Sequence, residues 1–311
     1  MAQYYVGVDV GGTTVKMGMF SDTGELLDKW EIPTRRKNNG QYILSDIVDS
    51  IEEKRETFEG NIKGIGVGIP GPVTADGTVL KCANLGWDVF SVSNKLASLT
   101  GVGNVKVGND ANVAALGEMW KGGGQGCQNG VMVTLGTGVG GGVVHDQKIV
   151  AGRHGLGGEI GHIHIREGEK ETCNCGGHGC LEQVASATGI AREARRKMAA
   201  KPDASVMRAY GDAITAKNVL DAAKAGDALA LEVMDTVCYY LGWALATISM
   251  TVDPEIFVIG GGVSKAGTFL TDWIDRYYRE LTPISENKGE VRLATLGNDA
   301  GIYGAARLIL D

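Results

Sequence analysis

Along the first thirty residues apolar side chains alternate with polar residues and glycine, a period of two that predicts strands rather than helix. One strand is predicted over 4–8 and a second over 15–20, joined by a turn through Asp9-Val10-Gly11-Gly12-Thr13-Thr14. Asp22-Thr23-Gly24 then turns the chain into a third, antiparallel strand over 25–30. The period changes where Ile43, Ile47 and Ile51 recur every four residues, which predicts a helix over 42–57. A buried strand follows over 63–69, stopped by Pro70-Gly71-Pro72. A short strand over 105–107 runs through Gly108-Asn109-Asp110 into a helix over 111–120. The second half repeats the plan, with a strand over 130–135, a turn through Gly136-Thr137-Gly138-Val139-Gly140-Gly141, and a strand over 142–145. Helices are predicted over 185–198, 216–226 and 228–250, strands over 254–259 and 291–296, and a last helix over 299–310. Strands alternating with helices, and two equivalent hairpins, indicate an α/β protein of two related lobes.

Composition narrows this little. A chain of 311 residues with 43% hydrophobic and 22% charged residues is an ordinary globular sequence with room for a sizeable core. A net charge of −7 argues against nucleic-acid binding, which relies on basic surface. No uncharged apolar run reaches the roughly 18 residues of a membrane span, so no membrane partner is expected. The N-terminal residues carry neither the basic segment nor the apolar run of a signal peptide, so a cytoplasmic protein is expected. Forty-eight glycines against 6 prolines are the outlying count, and they cluster beside apolar runs. Clustered this way, they suggest backbone lying close against a ligand.

Three of the 6 cysteines fall within eight residues, Cys173-Asn174-Cys175-Gly176-Gly177-His178-Gly179-Cys180, with His162 upstream. Thiolates at about 2.3 Å and one imidazole at about 2.0 Å would close a tetrahedral shell around structural Zn²⁺ with no open catalytic position. A reduced loop without metal, or a disulfide beside a free thiol, are the alternatives, the disulfide being disfavoured in a reducing compartment. His178 competes with His162 as the nitrogen ligand, and His162 is preferred because it lies near Glu159. Cys82, Cys127 and Cys238 are scattered and read as ordinary small side chains.

A Gly/Thr hairpin turn offers backbone N–H groups and hydroxyls to phosphate oxygens with no side chain in the way. Gly11, Gly12, Thr13 and Thr14 form one such turn, Gly136, Thr137 and Gly138 a second, and Gly261 with Gly262 closes a third loop suited to adenine or ribose. Asp9 is placed to hold hydrated Mg²⁺ and Lys16 to meet phosphate charge, the alternative for Lys16 being a solvated strand lysine. The pattern is neither the P-loop G-x-x-x-x-G-K-[ST] nor the dinucleotide G-x-G-x-x-G before a helix. Transferring a phosphoryl group to a sugar hydroxyl needs a carboxylate to accept that proton, and Asp110 is the candidate base. Its spacing equally suits a helix N-cap. Asn109 would hydrogen-bond a neighbouring hydroxyl. Glu159 and His162, three residues apart, and Glu182, two past Cys180, supply the converging groups that a polyol wants.

Taken together these residues closely resemble the ROK family (repressors, open reading frames and kinases), and the resemblance spans essentially the whole chain. Asp9-Val10-Gly11-Gly12-Thr13-Thr14-Val15-Lys16 is similar to its first phosphate motif, and Leu135-Gly136-Thr137-Gly138-Val139-Gly140-Gly141-Gly142 to its second. Gly158-Glu159-Ile160-Gly161-His162 and the cysteine loop through Glu182 resemble its signature and zinc site, and Gly260-Gly261-Gly262-Val263 its nucleotide loop. The resemblance implies an actin-like ATPase fold (RNase H-like, hexokinase-type) with a nucleotide and sugar cleft between two lobes. The small lobe would be 1–108, completed by a C-terminal helix over 298–311, and the large lobe 109–297 with the zinc. It implies ATP, Mg²⁺ and structural Zn²⁺, with Asp110 as base. Asn109, Glu159, His162 and Glu182 would hold the sugar, and His162, Cys173, Cys175 and Cys180 the zinc. Asn84, in Ala83-Asn84-Leu85-Gly86-Trp87, is implied as a further sugar contact. The large lobe of such proteins usually forms a homodimer or homotetramer, and lobe closure would exclude water from the reaction.

Within that family Gly68-Ile69-Pro70-Gly71-Pro72-Val73 and Asn84-Leu85-Gly86-Trp87 are most like the bacterial glucokinases, which implies ATP-dependent conversion of glucose to glucose 6-phosphate. Kinases for fructose, N-acetylmannosamine and N-acetylglucosamine share the same acidic and zinc residues, and polyphosphate is an open alternative donor. A sugar-responsive regulator would carry a helix-turn-helix ahead of the first hairpin, for which ten N-terminal residues leave no room. A sugar-binding protein without catalysis would not need the phosphate loops.

Overall fold

In the computed structural model, which describes residues 2–310, the alternating N-terminal pattern forms a meander of β1 (Ala2–Val10), β2 (Thr14–Ser21) and β3 (Leu26–Pro33). The chain continues through α1 (Ile43–Arg55), β4 (Gly60–Ile69), β5 (Thr78–Val79), β6 (Phe90–Ser91), α2 (Val92–Thr100), β7 (Val105–Asn109) and α3 (Asp110–Lys121). After these come β8 (Gly130–Leu135), β9 (Val139–His145), β10 (Lys148–Ile149), α4 (Glu182–Ala185), α5 (Ala187–Ala200), α6 (Ala216–Lys224) and α7 (Ala228–Val252). The last elements are β11 (Ile256–Gly260), α8 (Thr268–Leu281), β12 (Glu290–Leu293) and α9 (Ala300–Ile309).

The chain divides into two compact units. One comprises the chain up to Gln128, Gly142–Gly158 and everything from Leu296 onward; the other comprises Asn129–Gly141 and Glu159–Thr295. The division therefore differs from the 108/109 boundary read from the sequence. Packing explains this: α3 lies against α9 so closely that a Cβ on Gly304 would sit 1.7 Å from the Val113 carbonyl oxygen, which ties α3 to the first unit.

The first unit is built on a sheet in the order β3-β2-β1-β4-β7, in which β1, β4 and β7 run parallel. Its two faces have different chemistry because side chains alternate. Val6, Val8 and Val10 of β1 and Ile65, Val67 and Ile69 of β4 join Ile43, Ile47 and Ile51 of α1 in one buried core. Gly7 and Gly66 intervene between these side chains, and α9 beds down on them. A Cβ on Gly66 would lie 1.8 Å from the Ala305 carbonyl oxygen, and one on Gly7 would lie 2.1 Å from that of Ile302. Only glycine lets the helix backbone reach the sheet this closely.

The second sheet has the order β10-β9-β8-β11-β12, with β8, β11 and β12 parallel. In the second unit α7 is the one helix among the described residues long and apolar enough to cross a membrane by length and composition. Its apolar positions, from Leu229 through Val233, Val237, Leu241 and Leu245 to Ile248, are buried inside the unit against α5, α6 and α8.

Most predicted elements appear within a few residues of their expected ends. The helix expected over 185–198 instead breaks at Ser186, whose extended backbone separates α4 from α5 and whose hydroxyl accepts from Gly189 N–H at 3.0 Å. Three helices, α2, α4 and α8, were not foreseen.

Candidate functional site

The residues singled out from the sequence fall into two groups, one in each unit. In the first unit the register sets Asp9 opposite Gly68 of β4, and Gly68 opposite Gly108 of β7, so Asp9 and Asp110 stand at the carboxyl ends of parallel strands. That end of an open α/β sheet is where ligands bind. Asp9 also faces Lys16 across the hairpin, and the Lys16 ammonium donates to the Asn298 carbonyl at 3.2 Å. The turn between them closes with Gly11 N–H to the Thr14 carbonyl at 3.0 Å. Thr34 clamps it from β3's end, its hydroxyl donating to the Gly11 carbonyl at 2.7 Å and its N–H to Thr13 at 2.9 Å. Thr34 was not foreseen, because its contact is made across 23 residues.

Asp9 rests on the first turn of α9, where a Cβ on Gly301 would fall 2.5 Å from its carboxyl carbon. Burial, then the Asp110 carboxylate, pushes the Asp9 pKa up to about 6, against the opposing pull of the Lys16 ammonium.

The helix cap at this site is Asn109, not Asp110. The Asn109 side-chain oxygen accepts from Asn112 N–H at 3.1 Å, while its amide donates to the Gly71 carbonyl at 3.2 Å and to Asp110 Oδ1 at 3.1 Å. Asp110 occupies the first helical position, its Oδ1 also accepting from Ala111 N–H at 2.8 Å. Asn112, unforeseen, donates to the Gly157 carbonyl at 3.2 Å and so fixes the loop that runs on to Glu159. Asn84 is exposed on the tight turn between Cys82 and Trp87, whose backbones pair at 3.0 Å in both directions.

In the second unit the ligand atoms of His162, Cys173, Cys175 and Cys180 all lie within 4.8 Å of one another. His162 turns Nδ1 toward Cys173 Sγ at 3.7 Å and Nε2 toward Glu159 Oε2 at 3.9 Å, so one imidazole serves the thiol cluster and the carboxylate at once. His178 is not in the cluster: its Nδ1 is 3.0 Å from the Glu171 carbonyl. The six cysteines are unpaired in this structure, and within the cluster Cys175 Sγ lies 3.6 Å from Cys180 Sγ. Burial, and then its two neighbouring thiols, raises the Cys180 pKa to about 12. Gln183, also unforeseen, brackets the loop by accepting from Cys180 N–H at 3.1 Å and donating to the Glu171 carbonyl at 2.9 Å.

Glu182 lies between this cluster and the Gly136-Thr137-Gly138 turn. Its Oε1 is 3.9 Å from Cys173 Sγ, and its Oε2 accepts from Val139 N–H at 2.9 Å. Gly261, at φ +84°, lies against the Leu135 carbonyl at the end of β8, and a Cβ on Gly262 would meet nothing within 4 Å. The third loop thus borders the second turn within one unit.

A family profile described as ROK family matches residues 5–311. A glucokinase of Halalkalibacterium halodurans is 45% identical over 99% of this chain and 95% of its own length. The crystal structure of a ROK family glucokinase from Streptomyces griseus in complex with glucose and AMPPNP is 33% identical, with a TM-score of 0.74 over 98% of this chain and 99% of that one. A ROK family transcriptional regulator, a homologue of the E. coli MLC protein, is 28% identical with a TM-score of 0.84, over 98% of this chain but 77% of its own.

Proposed function

The chain belongs to the ROK family and has its actin-like ATPase fold, and from that premise we propose that it is an ATP-dependent glucokinase, transferring the γ-phosphoryl group of ATP to the 6-hydroxyl of glucose. The observation that carries the chemistry is the division of labour at α3. Asn109 supplies the cap, so Asp110 is not needed for it and is the group for the sugar hydroxyl's proton. Full-length identity of 45% to a glucokinase carries the choice of sugar.

In this reading Asp9 holds hydrated Mg²⁺, while Gly11, Gly12, Thr13, Thr14, Gly136, Thr137 and Gly138 turn backbone N–H groups and hydroxyls toward phosphate. Lys16 adds positive charge beside them. Gly261 and Gly262 leave room for the nucleoside. Asn84, Asn109, Glu159, His162 and Glu182 orient the sugar. Three thiols and one imidazole within mutual reach are a donor set that fits Zn²⁺, and His162, Cys173, Cys175 and Cys180 would hold it. Zinc there would supply rigidity to the loop bearing Glu182 and fix the His162 tautomer, with no part in bond making. The protein would act in the cytoplasm as a homodimer or homotetramer.

The test is ADP release with Mg·ATP across glucose, fructose, mannose, N-acetylglucosamine and N-acetylmannosamine. Preference for glucose is expected. Preference for an N-acetyl sugar would overturn the substrate, and sugar binding without turnover would point to a regulator.

A further inference from the structure

Gly136, Thr137 and Gly138 form a turn whose own bond, Gly136 N–H to the Gly138 carbonyl at 2.9 Å, cannot alone set where its N–H groups point. Within the second unit one short segment, 182–188, grips it at three places. Glu182 Oε2 accepts from Val139 N–H at 2.9 Å, Ala187 N–H donates to the Gly136 carbonyl at 2.8 Å, and the Thr188 hydroxyl donates to the Thr137 carbonyl at 2.8 Å. The fit is close, since a Cβ on Gly138 would lie 2.2 Å from Glu182 Oε2. The segment is itself stiffened at the break between α4 and α5, where the Ser186 hydroxyl donates to the Glu182 carbonyl at 2.7 Å and lies 2.9 Å from that of Thr188.

We propose that Glu182 and Thr188 are positioning residues for the nucleotide, stapling the Gly-Thr-Gly turn in the conformation that receives phosphate. The inference rests on the kinase reading and adds to it: a carboxylate assigned to the sugar also shapes the phosphate turn, and Thr188, exposed on the surface, does so with no part in sugar or metal binding. Pre-set N–H groups need no reordering when the ligand arrives, so the staple is worth affinity for nucleotide specifically.

The experiment compares wild type, Thr188→Val, Thr188→Ser and Glu182→Gln in the metal-loaded protein. Binding of Mg·AMPPNP is measured by calorimetry without sugar, KM for ATP and for glucose separately, and amide exchange over the peptide 136–142. Thr188→Val is expected to weaken AMPPNP binding and raise KM for ATP about three- to tenfold, the loss of one hydrogen bond. Its KM for glucose and its kcat should stay within about twofold of wild type, and exchange in the turn should quicken. Thr188→Ser, which keeps the hydroxyl, should restore the wild-type values, whereas Glu182→Gln should weaken both ligands. Wild-type ATP affinity and unchanged exchange in Thr188→Val would overturn the staple alone. A wild type that binds no AMPPNP and phosphorylates no sugar would overturn the kinase reading, and the staple with it.

Discussion

Asp9 and Asp110 are both carboxylates at the ends of parallel strands, yet their surroundings prepare them for different work. Asp9 is hemmed in by α9 and by the Asp110 charge, so its proton is released only near pH 6. A pKa raised above the ordinary value means that stability is fully present below about pH 4 and declines as pH rises through about 6. Asp9→Asn should therefore gain stability at pH 7.5, by at most about 3 kcal/mol, while losing Mg·ATP binding; a denaturation midpoint at or below wild type would count against this. In the unmodified protein, affinity for Mg·ATP should fall as pH drops below about 6, since the metal needs the ionised form. Asp110→Asn keeps the shape of the α3 terminus and the Asn109 cap. It should bind glucose normally while kcat drops about 10²–10⁴-fold, and undiminished turnover would end the base assignment.

The elements show where sequence reading succeeds and where it stops. Lys63-Gly64-Ile65-Gly66-Val67-Gly68-Ile69 is legible as a buried strand, and the Ile43, Ile47, Ile51 spacing as a helix, because each is a local period. What the period does not say is what the glycines face. The α9 seat involves Gly7, Gly66 and Gly304, residues up to about three hundred apart, and no local pattern announces it. The same applies to Asn109: its role as cap emerges only once Asn112 N–H is seen to point at it. The helix α8 carries the same four-residue period in Leu270, Ile274 and Tyr278 and was legible on that ground; the local signal it lacks is a start, since Gly267 precedes it without a side-chain cap. Gly304→Ala would place a methyl group 1.7 Å from the Val113 oxygen. It should cost about 3 kcal/mol or more in chemical denaturation, as overpacking against backbone does; a variant as stable as wild type would show that α9 can shift.

At the scale of the whole molecule, the metal-loop residues and two of the three glycine loops belong to the second unit, and the two carboxylates of the strand ends to the first. Stripping Zn²⁺ should thus lower the melting temperature of the second unit and abolish sugar binding, while the first unit's transition stays in place. Full glucose affinity in a verified metal-free sample would refute the structural role. The cysteine cluster and both hairpins were readable in advance because their residues are neighbours in the chain. The Glu182 to Val139 bond, across 43 residues, was not.

The seat of α9 has a consequence during synthesis. A ribosome releases the strands β1 and β4 long before the helix that covers their glycine face, and the chain in between includes the entire second unit. The first unit therefore cannot finish folding until α9 (Ala300–Ile309) has left the exit tunnel, and β12 (Glu290–Leu293) of the second unit emerges only a few residues before it. Ribosome-bound intermediates should accordingly show a protease-sensitive sheet still waiting for its lid, the stage at which chaperone capture is expected.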